Sequence, residues 1–269
     1  MNKILIPAAA IAVAALATSC SHKQATLLMH NTAGYPQTPI TVNQDGGTLV
    51  LFDGTSTDGW RGYGKDHLPA KWTIEEGALT YTPSNKEGGD IIFAHPFSNF
   101  VLDIDWKVDK GSNSGILYYV QEVQGVNDKG EKYFLPSYKS APEYQVLDNE
   151  NHPDAKLGVD GNRMSASLYD IIPAKPQNAK PFGEWNHARI VVNNDKVEHW
   201  QNGVKVVEYT LNSPEWTAML RASKFSDKIM PEAFALLNNC GGKNHMGYIC
   251  LQDHGDRVQY RNIRVKELK

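Results

Sequence analysis

Glu143, Gln145 and Asp148 lie in one short stretch, Ala141-Pro142-Glu143-Tyr144-Gln145-Val146-Leu147-Asp148-Asn149. The pattern reads as a strand that carries carboxylates. Side chains alternate between the faces of a strand, so Glu143 and Gln145 share one face and Tyr144 and Val146 the other. Asp148 is out of phase with Glu143 in a flat strand. A β-bulge near Val146 or Leu147 would turn it onto the Glu143 face. Two carboxylates and an amide would then line one surface, a set suited to acid and base chemistry on a polar substrate. The plainer alternative is a solvated strand end with a turn at Asp148-Asn149.

The elements that must position these groups read as strands. Leu102, Ile104, Trp106 and Val108 alternate with Asp103, Asp105 and Lys107, the period of a strand with one buried face. Gly115 to Val120 forms the next strand, entered through Gly111-Ser112-Asn113-Ser114. Lys71-Trp72-Thr73-Ile74 and Ala78-Leu79-Thr80-Tyr81 flank Glu75-Glu76-Gly77 as a hairpin. Gln201-Asn202-Gly203 turns into Val204 to Tyr209, and Asn-Gly between apolar strands is a strong hairpin signal. Ser213-Pro214-Glu215 offers an N-cap and a proline at the first helical position, so a short helix is predicted to run to Leu220 or Lys224. Long polar excursions over residues 121–140 and 151–184 interrupt the strands, and loops of that length are often functional. Many short antiparallel strands, few helices and no βαβ alternation predict an all-β, two-sheet sandwich. The pattern alone leaves a jelly roll and an immunoglobulin-like sandwich open.

The chain has 269 residues and a formal net charge of −3. It carries no dense Lys/Arg cluster, which argues against nucleic acid as a partner. Six tryptophans suit a carbohydrate-facing surface as well as a core. Lys3, the apolar run Ile4 to Ala17 and the small residues before Cys20 describe a secretory signal, too short for a membrane span. Leu16-Ala17-Thr18-Ser19-Cys20 resembles the lipobox of bacterial lipoproteins. That resemblance implies a signal peptide over residues 1–19, a lipidated Cys20 and attachment to the bacterial outer membrane, on its periplasmic or cell-surface face. Residues 20–47 then read as anchor and tether, with Thr41-Val42 able to add an edge strand. The folded domain is expected over residues 48–269. Cys240 and Cys250 flank a glycine-rich segment, Gly241 to Gly247, and are read either as a disulfide across a hairpin or as two buried thiols.

Several short motifs follow one another along the chain. Leu51-Phe52-Asp53-Gly54 is followed by Asp58-Gly59-Trp60, then Asn113-Ser114-Gly115-Ile116 and Glu143-Tyr144-Gln145 with Asp148-Asn149. Ser167-Leu168-Tyr169-Asp170, Gly183-Glu184-Trp185-Asn186, Gly247-Tyr248-Ile249, Leu251-Gln252-Asp253-His254-Gly255 and Arg261-Asn262-Ile263 complete the set. Together they resemble the 3-keto-disaccharide hydrolase domain family over roughly residues 48–267. The resemblance implies a concanavalin-A-like jelly-roll β-sandwich with one or two short helices. It also implies a hydrolase that cleaves glycosides already oxidised at C3.

A ketone at C3 acidifies the C2 hydrogen. A base removes it, the aglycone leaves C1 by β-elimination, and water adds back. The needs are a base, a donor to the enolate oxygen and an acid for the leaving group. Glu143 is the first candidate for base or acid, Asp148 the second carboxylate, and His254 a proton-transfer group suited to neutral pH. Gln145, Gln252, Asn113, Asp105 and Lys107 are candidates to bind sugar hydroxyls, with Lys107 also placed to stabilise enolate charge. Trp185 is read as a stacking platform or as core. His152 and Asp154 are candidates to extend the polar cluster or to hold a divalent metal, although their spacing alone does not define a metal site. Two other classes compete. Concanavalin-like glucanases carry Glu-x-Asp-x-x-Glu on one strand, where this chain has Glu143, Gln145 and Asp148. A carbohydrate-binding lipoprotein without turnover is the third class.

Overall fold

The computed structural model describes residues 23–28 and 39–269. Cys20 and the apolar run before it lie outside the described residues. The strands in chain order are β1 (Lys23–Leu28), β2 (Pro39–Asp45), β3 (Thr48–Phe52), β4 (Trp60–Gly62), β5 (Trp72–Glu75), β6 (Ala78–Tyr81), β7 (Ile91–Phe93), β8 (Phe100–Val108) and β9 (Asn113–Val120). They continue as β10 (Gln124–Val126), β11 (Lys132–Phe134), β12 (Glu143–Leu147), β13 (Asn186–Asn193), β14 (Lys196–Gln201), β15 (Val204–Thr210), β16 (Tyr248–Leu251) and β17 (Val258–Glu267). Two short helices, α1 (Pro214–Ala222) and α2 (Pro231–Leu237), follow β15. Ser213 caps α1 as expected, its hydroxyl accepting from the Trp216 N–H at 3.0 Å.

Two antiparallel sheets face each other, in a jelly-roll sandwich. The larger runs β1-β2-β3-β17-β8-β13-β14-β15, with β6 also pairing β17 and carrying β5; the smaller runs β12-β9-β16-β7-β4. The expected alternation in β8 holds. Leu102, Ile104, Trp106 and Val108 are buried, and Asp103, Asp105 and Lys107 are half-buried on the opposite, outer face. In β12, Tyr144 and Val146 join that same core, so Glu143 and Gln145 project from the outer face of the smaller sheet. One polar network crosses the core. His199 of β14 donates from Nδ1 to the Ala166 carbonyl at 2.9 Å, and its Nε2 accepts from the Tyr118 hydroxyl of β9 at 2.7 Å. Burial pushes this imidazole down to about 4, so it stays neutral.

Two expectations need correction. The β12–β9 register runs without interruption from Glu143↔Leu117 to Leu147↔Asn113, so the bulge that would turn Asp148 onto the Glu143 face is absent. The edge strand foreseen at Thr41-Val42 forms as β2 on β3, and the sheet reaches further into the expected tether with β1 on β2, burying Leu27 and Val42. Short strands made largely of polar residues gave little periodic signal. Of the two readings of Cys240 and Cys250, buried free thiols are the one observed. Cys240 follows α2 rather than lying on a strand opposite β16, so the hairpin that would have paired them is not formed.

Candidate active site

A cavity of about 440 Å³ opens on the outer face of the smaller sheet. Its floor is built by Glu143 and Gln145 of β12, Asn113 of β9, Gln252 just past β16 and Asp90 just before β7. Its walls come from the excursions. Pro136 and Tyr138 belong to the first, Tyr169 to the second, and Lys224 follows α1; Asp253 and His254 close the rim.

Local pairing explains why the second excursion sits there. β12 ends the smaller sheet, and its free edge is covered by the chain near Ser167. Gln145 N–H donates to the Ser167 carbonyl at 3.2 Å, Ala166 N–H to the Gln145 carbonyl at 2.9 Å, and Tyr169 N–H to the Glu143 carbonyl at 3.1 Å. The edge is thereby paired and Tyr169 is carried to the cavity. The Tyr169 hydroxyl donates to Asp154 Oδ2 at 2.8 Å, and Arg163 bridges Asp154 and Asp170 through contacts of 2.9 and 2.6 Å. Asp170 Oδ2 then accepts the Lys224 N–H at 2.8 Å. The Ser-Leu-Tyr-Asp motif thus anchors one wall.

Glu143 is only 7% exposed. Its carboxylate lies over Gly115, where an added Cβ would stand 2.3 Å from Oε1. The glycine of the Asn-Ser-Gly-Ile motif makes the space that the carboxylate occupies. Burial raises the Glu143 carboxyl to about 8, opposed by the Lys224 charge and reinforced by Asp90 and Asp154. Burial also raises Asp90, although Ser137 Oγ and the Asp253 N–H both donate to it. Asn113 Oδ1 and Gln252 Oε1 are buried and have no hydrogen-bond partner among the described residues. Asn113 Nδ2 lies 3.3 Å from His254 Nε2. Asp253 accepts the Gly255 N–H at 2.9 Å, and Gly255 has φ +89°, so a glycine-dependent turn holds His254 at the rim. A turn and a site residue are compatible readings of that motif.

Glu143, Gln145, Asn113, Gln252 and His254 are therefore brought together. Gln145 is partly engaged, its Oε1 accepting from Val146 N–H at 3.2 Å. The other expected residues stand elsewhere. Asp148 lies past the strand end, where it accepts from Gly111 N–H at 2.7 Å, Asn151 Nδ2 at 2.7 Å and Glu150 N–H at 3.2 Å. It braces a turn and does not line the cavity. Asp105 and Lys107 face outward from the larger sheet, across the whole sandwich from Glu143, because the alternation that buries Trp106 turns them away. Asp105 binds His187 and Asn262 there, at 2.9 and 2.7 Å. Trp185 is half-buried on that same face, its ring 4.0 Å from the Arg261 guanidinium carbon and 4.8 Å from Lys107 Nζ. His152 and Asp154 extend the polar cluster, the His152 ring centroid lying 6.4 Å from that of His254 and Asp154 acting on the Glu143 carboxyl. His152 Nδ1 accepts the Asp154 N–H at 3.1 Å, and the Asp154 carboxylate is held by Arg163 and Tyr169. Among the described residues no group of three or more His, Cys, Asp and Glu is arranged to hold a metal ion.

Lys224, Asp90, Tyr138, Tyr169 and Asp253 complete the cavity without having been singled out as site residues. Tyr169 and Asp253 carried a signal, since both sit in motifs that carry the family resemblance. Lys224 follows a helix far from Glu143 in sequence, and nothing local marks it.

Residues 47–266 match the family described as "3-keto-alpha-glucoside-1,2-lyase-like domain". The chain is 58% identical over 235 residues to a 3-keto-disaccharide hydrolase from Bacteroides thetaiotaomicron strain VPI-5482, covering 85% of this chain and 81% of that protein. Among solved structures it resembles a candidate glycosyl hydrolase from Parabacteroides distasonis ATCC 8503, with TM-score 0.67 and 28% identity over 83% of this chain and 94% of the other. A second such protein from the same organism matches with TM-score 0.56 and 25% identity, over 78% of this chain and 99% of the other.

Proposed function

This chain belongs to the 3-keto-alpha-glucoside-1,2-lyase-like family and is a glycosidase-type hydrolase, and from that premise we propose that it cleaves 3-keto-disaccharides by elimination and hydration. The observation that carries the reading is Glu143, a buried carboxylate held high beside two buried, unpartnered amide oxygens. A carboxylate with a raised pKa is a stronger base for a carbon acid, and acceptors without partners suit substrate hydroxyls.

Glu143 takes the C2 proton, and the C–H electron pair becomes the C2–C3 double bond of an enolate. The enolate collapses to the ketone, its electron pair forms the C1–C2 double bond, and the C1–O bond to the aglycone breaks. His254 at the rim supplies the proton to the departing oxygen. Water then adds to C1 and a proton returns to C2, so the sum is glycoside plus water to 3-keto sugar plus alcohol. Asn113 and Gln252 receive the hydroxyl hydrogens that orient the ring.

Ordinary glycoside hydrolysis uses two carboxylates flanking the glycosidic bond. Gln145 stands where a glucanase strand has its central acid, and Asp148 is turned away into its turn. Paired turnover measurements separate the two readings. Release of aglycone from a 3-keto-disaccharide but not from the parent disaccharide is the expected result; equal turnover of the parent would refute it.

For location, the proposal is export and lipid anchoring at Cys20, supported by Leu-Ala-Thr-Ser-Cys at residues 16–20. Metabolic labelling with a palmitate analogue is expected to mark the wild-type protein, and label that persists in Cys20→Ala would refute the anchor.

A further inference from the structure

We propose that Lys224 is a catalytic residue of this cavity, donating from its ammonium to the C3 ketone oxygen and holding the charge that develops there. The inference rests on the 3-keto-glycoside reading and adds the electrophilic partner that the base requires. The sequence offered Lys107 for this task, and the fold places Lys107 on the far face of the sandwich.

Three observations converge on Lys224. Its Nζ sits 4.0 Å from the centre of the Tyr169 ring, 5.1 Å from Phe225 and 5.9 Å from Tyr138. Aromatic faces hold a cation in place without consuming its N–H donors. No hydrogen bond or ion pair to a described residue occupies those donors, although the side chain is half-buried and lines the cavity with Glu143. The backbone beneath it is fixed by Asp170, itself held by Arg163.

Complementarity then orients the substrate. Glu143, Asp90 and Asp253 contribute carboxylates, and Asn113 Oδ1 and Gln252 Oε1 contribute free acceptors. Sugar hydroxyls can donate to these groups, but a ketone oxygen can only accept. Among the described residues lining the cavity, Lys224 is the one lysine or arginine and the most concentrated source of donors. The oxidised carbon is therefore directed toward Lys224, with C2 next to it and within the reach of Glu143. As the C2 proton leaves, the carbonyl π pair moves onto oxygen. A preorganised ammonium in a partly dry site stabilises that oxyanion far more than it stabilises the neutral ketone.

The test compares wild type, Lys224→Met, Lys224→Arg and Glu143→Gln on a 3-keto-disaccharide, with thermal melts to confirm folding. Lys224→Met is expected to lower kcat by ~10²–10³-fold with a smaller change in KM, and Lys224→Arg to recover part of the loss. A second readout is the acid limb of the pH profile. Glu143 is faced by Lys224, Asp90 and Asp154 and shares the cavity with Asp253 and His254. Removing the lysine charge is expected to move that limb to higher pH, whereas loss of a purely structural contact would leave it in place. A folded Lys224→Met enzyme with unchanged kcat, beside an inactive Glu143→Gln, would overturn the role of Lys224 and leave the substrate reading standing. Wild type inactive on the keto substrate would overturn both. Borohydride trapping of substrate on Lys224 would replace the hydrogen-bonding role with an imine and also overturn the proposal.

Discussion

At the scale of single residues, burial gives Glu143 and Asp148 opposite jobs. Glu143 has no hydrogen-bond donor among the described residues, and desolvation raises its carboxyl to about 8. Its folded pKa lies above its unfolded value, so folding favours the protonated form. The stability that this contributes is complete below the ordinary glutamate range and is lost as pH rises toward 8. Glu143→Gln is therefore expected to abolish most turnover, by ~10²–10⁴-fold. The same change should raise the melting temperature at pH 8 more than at pH 5. Equal shifts at both pH values would show that the carboxylate is not strained by burial. Asp148 instead spends both oxygens on backbone and side-chain donors. Asp148→Ala should cost about 1–3 kcal/mol in denaturant unfolding and leave kcat nearly unchanged. Both residues are acids in one short segment, and only the missing bulge separates their fates. Glu143, Gln145, Asn113, Gln252 and His254 were legible because each sits in a motif on or beside a strand. Lys224 was not, because its role depends on where α1 ends in space.

At the scale of elements, β12 and β9 form the working surface. Asn113, Gly115, Glu143 and Gln145 share their outer face, and the Ser167–Tyr169 segment covers the free edge of β12. Gly115→Ala would place a methyl within 2.3 Å of Glu143 Oε1. The flexible carboxylate, rather than the strand, would give way. A misplacement of about 1 Å can lower turnover by roughly 10²-fold. We expect that loss in kcat with little change in melting temperature; an unaffected kcat would mean that Glu143 need not lie where it does. Strand period predicted β8 well, since a wholly apolar face alternates with a wholly polar one. The same logic misled at Asp105 and Lys107. Periodicity tells which residues share a face, but not which of two sheets owns the strand. β2 was foreseen only at Thr41-Val42 and β1 not at all, because a strand added to an exposed edge can be largely polar and keep no apolar stripe beyond Leu27 and Val42.

At the scale of the whole molecule, the sandwich separates two outer faces. One carries the cavity, with buried carboxylates, unpartnered acceptors and a caged lysine. The other carries paired charges: His187 bridges Asp103 and Asp105 at 3.1 and 2.9 Å, and those carboxylates raise it to about 9. Saturated ion pairs of this kind leave little for a substrate to engage, whereas the cavity keeps two buried acceptors, Asn113 Oδ1 and Gln252 Oε1, without partners among the described residues. The sandwich class was readable from strand spacing, while the choice of a jelly roll needed the ordered motifs and is now given by the sheet order. Removal of the C2 proton by Glu143 is the central step of the proposed reaction. Its most direct test is turnover of a 3-keto-disaccharide in D₂O, with the C2 position of the released 3-keto sugar read by NMR and mass spectrometry before it exchanges spontaneously. One solvent deuterium at C2, appearing at the wild-type rate and lost in Glu143→Gln, is the expected result. Product that keeps its original C2 hydrogen, together with a C2-deuterated substrate that turns over at the unlabelled rate, would show direct displacement at C1 and contradict the account.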